Sequence, residues 1–301
     1  MRFAASRKRS ARDAGHSPMT LRTNYHTHNR YCDGEGEIAE YIEAALAAGL
    51  DSYGVSSHAP VPVRTCDPWM MRLADLPAYC AEVRRLRDEY RDRLPIFLAL
   101  ELDYLPGMGA FYREQIFPHN FDYFVGSVHF VGTDDQGMPW EIDNSAERFA
   151  SGLAVGWHGD VRSAFTEYFA LQRQMVGTPG VVIVGHMDKM KMWNSGDRYF
   201  RETDAWYVAA VEETLRAFKA GGLIVELNTS GLRKAIASAF PSPWVLARCR
   251  DLDIPITVTA DTHTPADVAA GFTEAAAILR DVGITHVMAR DGDQWVPRPV
   301  D

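Results

Sequence analysis

The chain has 301 residues, of which 47% are hydrophobic and 24% charged, and it carries a formal net charge of −9. That balance is ordinary for a soluble globular protein and excludes a nucleic-acid-binding body, which would present a basic face. No apolar run approaches the roughly 20 residues needed to span a bilayer, and the length suits one large α/β domain or two small ones.

The chain opens on MRFAASRKRSARDAGHSP, a basic stretch without the apolar centre of a secretory leader. Residues 1–20 are therefore expected to be a disordered tail, or sequence upstream of a second start at Met19, with the folded domain over 21–301. The four cysteines, Cys32, Cys66, Cys80 and Cys249, form no CxxC pair. They are expected to be reduced thiols of a cytoplasmic protein.

The first predicted strand is RTNYHTH (22–28), followed by a helix over 38–49 with Ile38, Ile42 and Leu46 on one face and Gly49 as its stop. A strand SYGVSSH (52–58), a helix over 75–93 and strands over 95–105 and 121–130 come next. A helix over 162–177 and a strand GVVIVGHMD (180–188) lead to a helix over 203–222, which begins at Thr-Asp and ends in Gly-Gly. Strands over 223–231 and 255–263, a helix over 264–283 and a short eighth strand THVMAR (285–290) complete the pattern. Alternation of this kind, with no repeat or low-complexity linker, predicts a single α/β domain.

The ends of these strands carry the chemistry. His26 and His28 end the first strand, and residues i and i+2 of a strand share a face. His58 ends the second, Glu101 lies near the end of the third, and His129 near the end of the fourth. His186 closes the fifth, Asn228 sits at the end of the sixth, and Asp261 and His263 end the seventh. In a parallel barrel all C-terminal strand ends gather on one face. Six of the ten histidines thus fall at equivalent positions, whereas His16, His119, His158 and His286 do not. Imidazole with carboxylate suits Zn, Fe or Mn, and the absence of cysteine argues against a closed structural zinc site. Counting Asp33, just past the first strand, the candidates exceed what one ion uses and suit two or three. Clustered ions supply a bridging hydroxide and a clamp for phosphoryl oxygens, so the constellation predicts metal-dependent hydrolysis.

HTHNRYCDG, SSHAP, the Glu of ALELDY, GSVHF, VGHMDKMK and TADTHTP, in that order, resemble the polymerase-and-histidinol-phosphatase (PHP) superfamily. The histidinol-phosphatase branch is the most similar, through VELNTSGLRKAIASAFPSPWVLARC and ADTHTPADVAAGF. The resemblance spans about residues 22 to 290. It implies a distorted seven-stranded (β/α) TIM-like barrel with a trinuclear metal site, and hydrolysis of L-histidinol phosphate in histidine biosynthesis. It further implies a first ion on His26, His28, Glu101 and Asp261, and a second on Glu101, His129 and His186. The third would use His58 and His263, with Asp33 replacing a histidine that some members carry one position later, where this chain has Gly34.

A phosphoryl group also calls for a cation, and arginine's fork matches two of its oxygens. Arg233 is the first candidate and Arg162 the second; Lys189, Lys191 and Lys234 lie close in sequence to the proposed ligands. Asp261 or His263 is expected to deliver a proton to the leaving oxygen. Glu35, Glu37 and Asp103 are candidates for holding the substrate's ammonium. The expected partner is a small phosphorylated substrate, with no nucleic acid and no membrane. Alternatives are a PHP-type phosphatase or phosphodiesterase for a nucleotide or sugar phosphate, an amidohydrolase, and a non-catalytic metal-binding module.

Overall fold

The computed structural model describes residues 21–62, 69–133 and 137–300. The expected basic tail over 1–20 and Cys66 lie outside the described residues. Seven parallel strands form the core: β1 (Thr23–Asn24), β2 (Ser52–Val55), β3 (Ile96–Asp103), β4 (Tyr123–Ser127), β5 (Val181–Val184), β6 (Ile224–Asn228) and β7 (Ile256–Thr259). They pair in chain order. Strands such as IFLALELD are buried along their whole length, as expected where helices cover one face and the barrel interior the other.

The barrel closes through a short seam just beyond β1 and β7. Thr27 and Thr262 form a parallel bridge, and the His28 N–H donates to Thr262 O at 2.8 Å. The Asn24 side chain adds donations to Thr262 Oγ1 and Val268 O, at 3.1 and 2.9 Å. Inside the barrel, Tyr25, Phe97, Ala99, Tyr123, Val125 and Ile183 pack together.

The run 285–290 is not an eighth barrel strand. His286–Asp291 pairs antiparallel with Gln294–Pro299, and Trp295 of this hairpin packs on Tyr25 and Tyr123 of the barrel interior. There Arg290 lies 5.1 Å from the Phe97 ring and 5.9 Å from the Trp295 ring, so cation–π contacts hold the hairpin.

Helices α1 (Ile38–Ala47), α2 (Leu76–Tyr90), α3 (Ala146–Gly156), α4 (Val161–Met175), α5 (Ala205–Gly221), α6 (Pro243–Asp251) and α7 (Phe272–Asp281) accompany the strands. Neither α3 nor α6 stands out in the sequence pattern. α3 buries only Phe149, Gly152 and Leu153, which is too few for a clear apolar stripe, and its start is fixed by the Ser145 side chain accepting the Arg148 N–H. The single helix expected over 264–283 is instead a turn, Pro265–Asp267, followed by α7. Gly271 separates the two at φ 78°.

Candidate metal centre

At the C-terminal strand ends the chain turns its ligands inward. Thr27 points outward and donates to Gly54 O at 2.7 Å, so its neighbours His26 and His28 face the barrel axis. His58 and Glu101 form a bridge between the extensions of β2 and β3. His186 and Asp261 follow their strands with φ of 22° and 48°. These are sparsely populated values for residues other than glycine, and such strain concentrates at functional sites.

Glu101 is the hub. Its Oε2 lies 3.0 Å from His58 Nδ1, 3.1 Å from His26 Nε2 and 3.4 Å from His28 Nε2. Its Oε1 lies 3.0 Å from His186 Nε2 and 3.6 Å from His129 Nε2. Asp261 Oδ1 stands 3.2 Å from His28 Nε2 and 3.7 Å from His26 Nε2. On the outer side Asp33 Oδ2 is 3.3 Å from His263 Nε2, and the rings of His28 and His263 stack at 4.2 Å.

Four groups result in which one ligand atom from each residue lies within 4.8 Å of the others. They are His28–Asp33–His58–His263, His26–His28–Glu101, His26–His186–Asp261 and His58–Glu101–His129. All nine residues expected as ligands are brought together. His28 belongs to two of these groups, because its Nδ1 faces Asp33 at 3.7 Å while Nε2 faces Glu101 at 3.4 Å.

The donor set fits divalent metal. Nε2 of His26 and His28, Nδ1 of His58 and Oε2 of Glu101 are buried without a hydrogen-bond partner. Each such atom costs about 1–3 kcal/mol unless something coordinates it. The electrostatics point the same way. Burial opposes ionisation of Glu101, yet His26, His58 and His129 hold its carboxyl well below the usual range. Burial likewise favours neutral His129, but Asp103 and then Glu101 push it up to about 9, against Lys189. A cation-seeking cluster of this kind exchanges protons for metal on binding.

Two buried carboxylates stand behind the ligands. Glu226 Oε1 is 2.7 Å from His26 Nδ1, and Asp103 Oδ1 is 2.5 Å from His129 Nδ1. Glu226 was not singled out in the sequence, and alternation along β6 was its only signal. Asp103 was expected at the substrate ammonium. It is fully buried against His129 instead, and that expectation is corrected.

A cleft of about 250 Å³ is lined by Asp33, His58, His129 and His263 of the cluster together with Trp69, Glu141, Asp143, Asn144, Lys189 and Lys234. Glu35 and Glu37 do not line it, among the described residues; Glu37 pairs with Arg30. The acids that do are Glu141 and Asp143. Lys189 Nζ lies 2.9 Å from Asp143 Oδ2 and 3.3 Å from His129 Nε2. Lys191 turns away to Asp188 Oδ2 at 2.8 Å and Ala239 O at 3.2 Å.

Neither expected arginine lines the cleft. Arg162 is exposed in the first turn of α4. Arg233 donates to Ala260 O at 3.0 Å, beside Asp261 at the rim. The cations facing the ligands are therefore lysines. Trp69, from the expected aromatic stretch, meets the His58 ring edge-on at 4.4 Å and stacks on Phe130.

A cluster of histidines and carboxylates suited to divalent metal, gathered around Glu101 at the C-terminal mouth of a distorted barrel, defines the class. The chain belongs to the PHP family, whose domain pattern matches residues 24–230. Among curated proteins it is 31% identical over 266 residues to the "Probable histidinol-phosphatase" of Deinococcus radiodurans, covering 88% of this chain and 95% of that protein. The crystal structure of hisK from Listeria monocytogenes shares the fold with a TM-score of 0.76 at 24% identity, over 84% of this chain and 99% of that one. Histidinol phosphate phosphatase from Lactococcus lactis, solved with zinc, L-histidinol and phosphate, has a TM-score of 0.69 at 20% identity, over 91% and 98% of the two chains.

Proposed function

We infer that the protein is a metal-dependent phosphomonoesterase that hydrolyses L-histidinol phosphate to L-histidinol and phosphate. The observation that carries this reading is the convergence of five histidine rings on the two oxygens of Glu101, beneath a cleft that holds both lysines and carboxylates. The Deinococcus relative supports the substrate, and the zinc, L-histidinol and phosphate of the Lactococcus structure support the pairing of metal with a small phosphate ester.

His26, His28, Glu101 and Asp261, with His129 and His186, would hold two inner ions; Asp33, His58 and His263 would hold an outer one. Divalent ions in such a set lower the pKa of bound water and neutralise charge on phosphoryl oxygens. The chain's own residues supply the rest. Lys189 and Lys234 face the place where a phosphoryl group must lie, and Arg233 stands at the rim for its outermost oxygen. Asp143 holds Lys189 in place. Glu141 and Asp143 offer negative charge to the ammonium of a substrate whose phosphate points at the ligands. Asp261 or His263 delivers the proton to the leaving oxygen.

The test is phosphate release from histidinol phosphate, AMP, fructose bisphosphate and a phosphodiester, with metal content measured on the same protein. Histidinol phosphate should give the highest kcat/KM by at least tenfold, and chelation should abolish turnover. Equal rates across the panel would overturn the substrate assignment.

A further inference from the structure

Two of the histidines around Glu101 carry a matching device. Glu226 is fully buried, and its carboxylate takes contacts from three other chain segments as well as its own strand. Oε1 meets His26 Nδ1 at 2.7 Å and the Thr259 hydroxyl; Oε2 accepts the His186 N–H at 2.7 Å and Asn228 Nδ2 at 3.0 Å. Asp103, equally buried, meets His129 Nδ1 at 2.5 Å. His186 Nδ1 has no hydrogen-bond partner among the described residues and so no such brace there.

An ionised carboxylate can only accept a hydrogen bond; the other contacts of Glu226 are N–H and O–H donors, and Asp103 meets His129 through Oδ1. With a metal ion bound, the facing Nδ1 would keep the proton shared with the carboxylate, and Nε2 would be the nitrogen left to coordinate. In both histidines that Nε2 is the atom aimed at Glu101, at 3.1 Å for His26 and 3.6 Å for His129.

We propose that Glu226 and Asp103 are positioning residues, each locking one ligand histidine in its metal-binding tautomer and each setting the affinity of a different ion. The assignment takes the histidines as metal ligands, as in the reading above. His26 belongs to the groups completed by His28, His186 and Asp261, whereas His129 belongs to the group completed by His58. The two braces therefore act on different parts of the cluster. Removal of either should weaken one site and spare the other, since partners of this kind typically contribute about 10–100-fold in metal affinity.

The experiment is zinc competition against a chromophoric chelator with the full chain, so that substrate plays no part. Glu226→Gln and Asp103→Asn should each raise one zinc dissociation constant about 10–100-fold, and the double variant should raise two. Excess zinc should restore kcat in each single variant with KM unchanged. Unchanged zinc affinity with a lowered melting temperature would make the carboxylates merely structural and overturn the proposal, as would loss of the same site in both variants. Nitrogen-15 imidazole spectra of the unaltered zinc protein give a second reading that needs no variant. His26 and His129 should show a proton on Nδ1 and none on Nε2, and the opposite tautomer at either would sink the assignment. Failure to hydrolyse histidinol phosphate would alter neither measurement.

Discussion

Asp33 Oδ2 stands 3.3 Å from His263 Nε2, and the two side chains are one-third exposed, at 33% and 36%, while the groups around Glu101 are sealed from solvent. Exposure lowers the barrier to losing an ion and raises the dielectric that weakens its hold. The outer ion should therefore leave first. Mild chelator should remove one equivalent of metal before the rest, followed by elemental analysis of the dialysed protein. Asp33→Ala should start with that equivalent already missing, and simultaneous loss of all metal from both proteins would refute the ordering.

The turn at Gly34 leaves no room for a side chain one position after Asp33. A Cβ at Gly34 would stand 2.3 Å from the Asn29 backbone nitrogen and 2.4 Å from the His28 carbonyl carbon. Backbone cannot yield as a flexible side chain can, so Gly34→Ala should displace His28. The expected outcome is a destabilisation of about 1–3 kcal/mol in denaturant titration, together with weakened metal binding. A variant of normal stability and metal content would show that the turn has room.

The strand ends were legible because a period-two pattern, a turn signal and a histidine or carboxylate recur together from His26 to His263. Local pattern says where along the chain a side chain sits, and parallel topology then says which ends meet. It does not say which way a side chain aims within that end. Lys189 and Lys191 are two residues apart, yet one faces the ligands and the other a buried aspartate across a turn. Asp103, two residues past Glu101, has the same alternation as a ligand but stands behind His129. The Arg233 guanidinium donates to the carbonyl of Ala260, 27 residues away, a contact that local pattern does not show. These distinctions depend on long-range partners, which a single sequence does not display.

Burial makes the described cysteines unequal. It pushes the Cys80 thiol up to about 11 and the Cys249 thiol up to about 12, while Cys32 is half-buried at the edge of the cluster. A raised thiol pKa means that reactive thiolate accumulates only as pH approaches those values. Between pH 7 and 9, alkylation of the native protein should spare Cys80 and Cys249, and both should react once denaturant is added. Peptide mass spectrometry checks this, and rapid labelling of either in the folded protein would contradict the packing.

The neighbouring lysines give the sharpest contrast. Lys189 lines the cleft, paired with Asp143 and facing His129. Burial alone would neutralise it, but Asp143, Asp261 and Glu101 raise its pKa, so it remains a cation through the working range. Lys189→Met should keep the fold and lower kcat/KM about 10–150-fold, the loss expected for one hydrogen bond to a charged group of about 1.5–3 kcal/mol. Inhibition by inorganic phosphate should weaken in parallel. Lys191→Met should instead strand Asp188, which is wholly buried, and remove donations to Ala239 O and Ser242 Oγ. Breaking one side of such a pair typically destabilises by about 3–5 kcal/mol. Its signature is therefore a large fall in melting temperature, with kcat/KM per folded molecule changed less than in Lys189→Met. If the two variants exchange these phenotypes, the division of labour between the lysines is wrong.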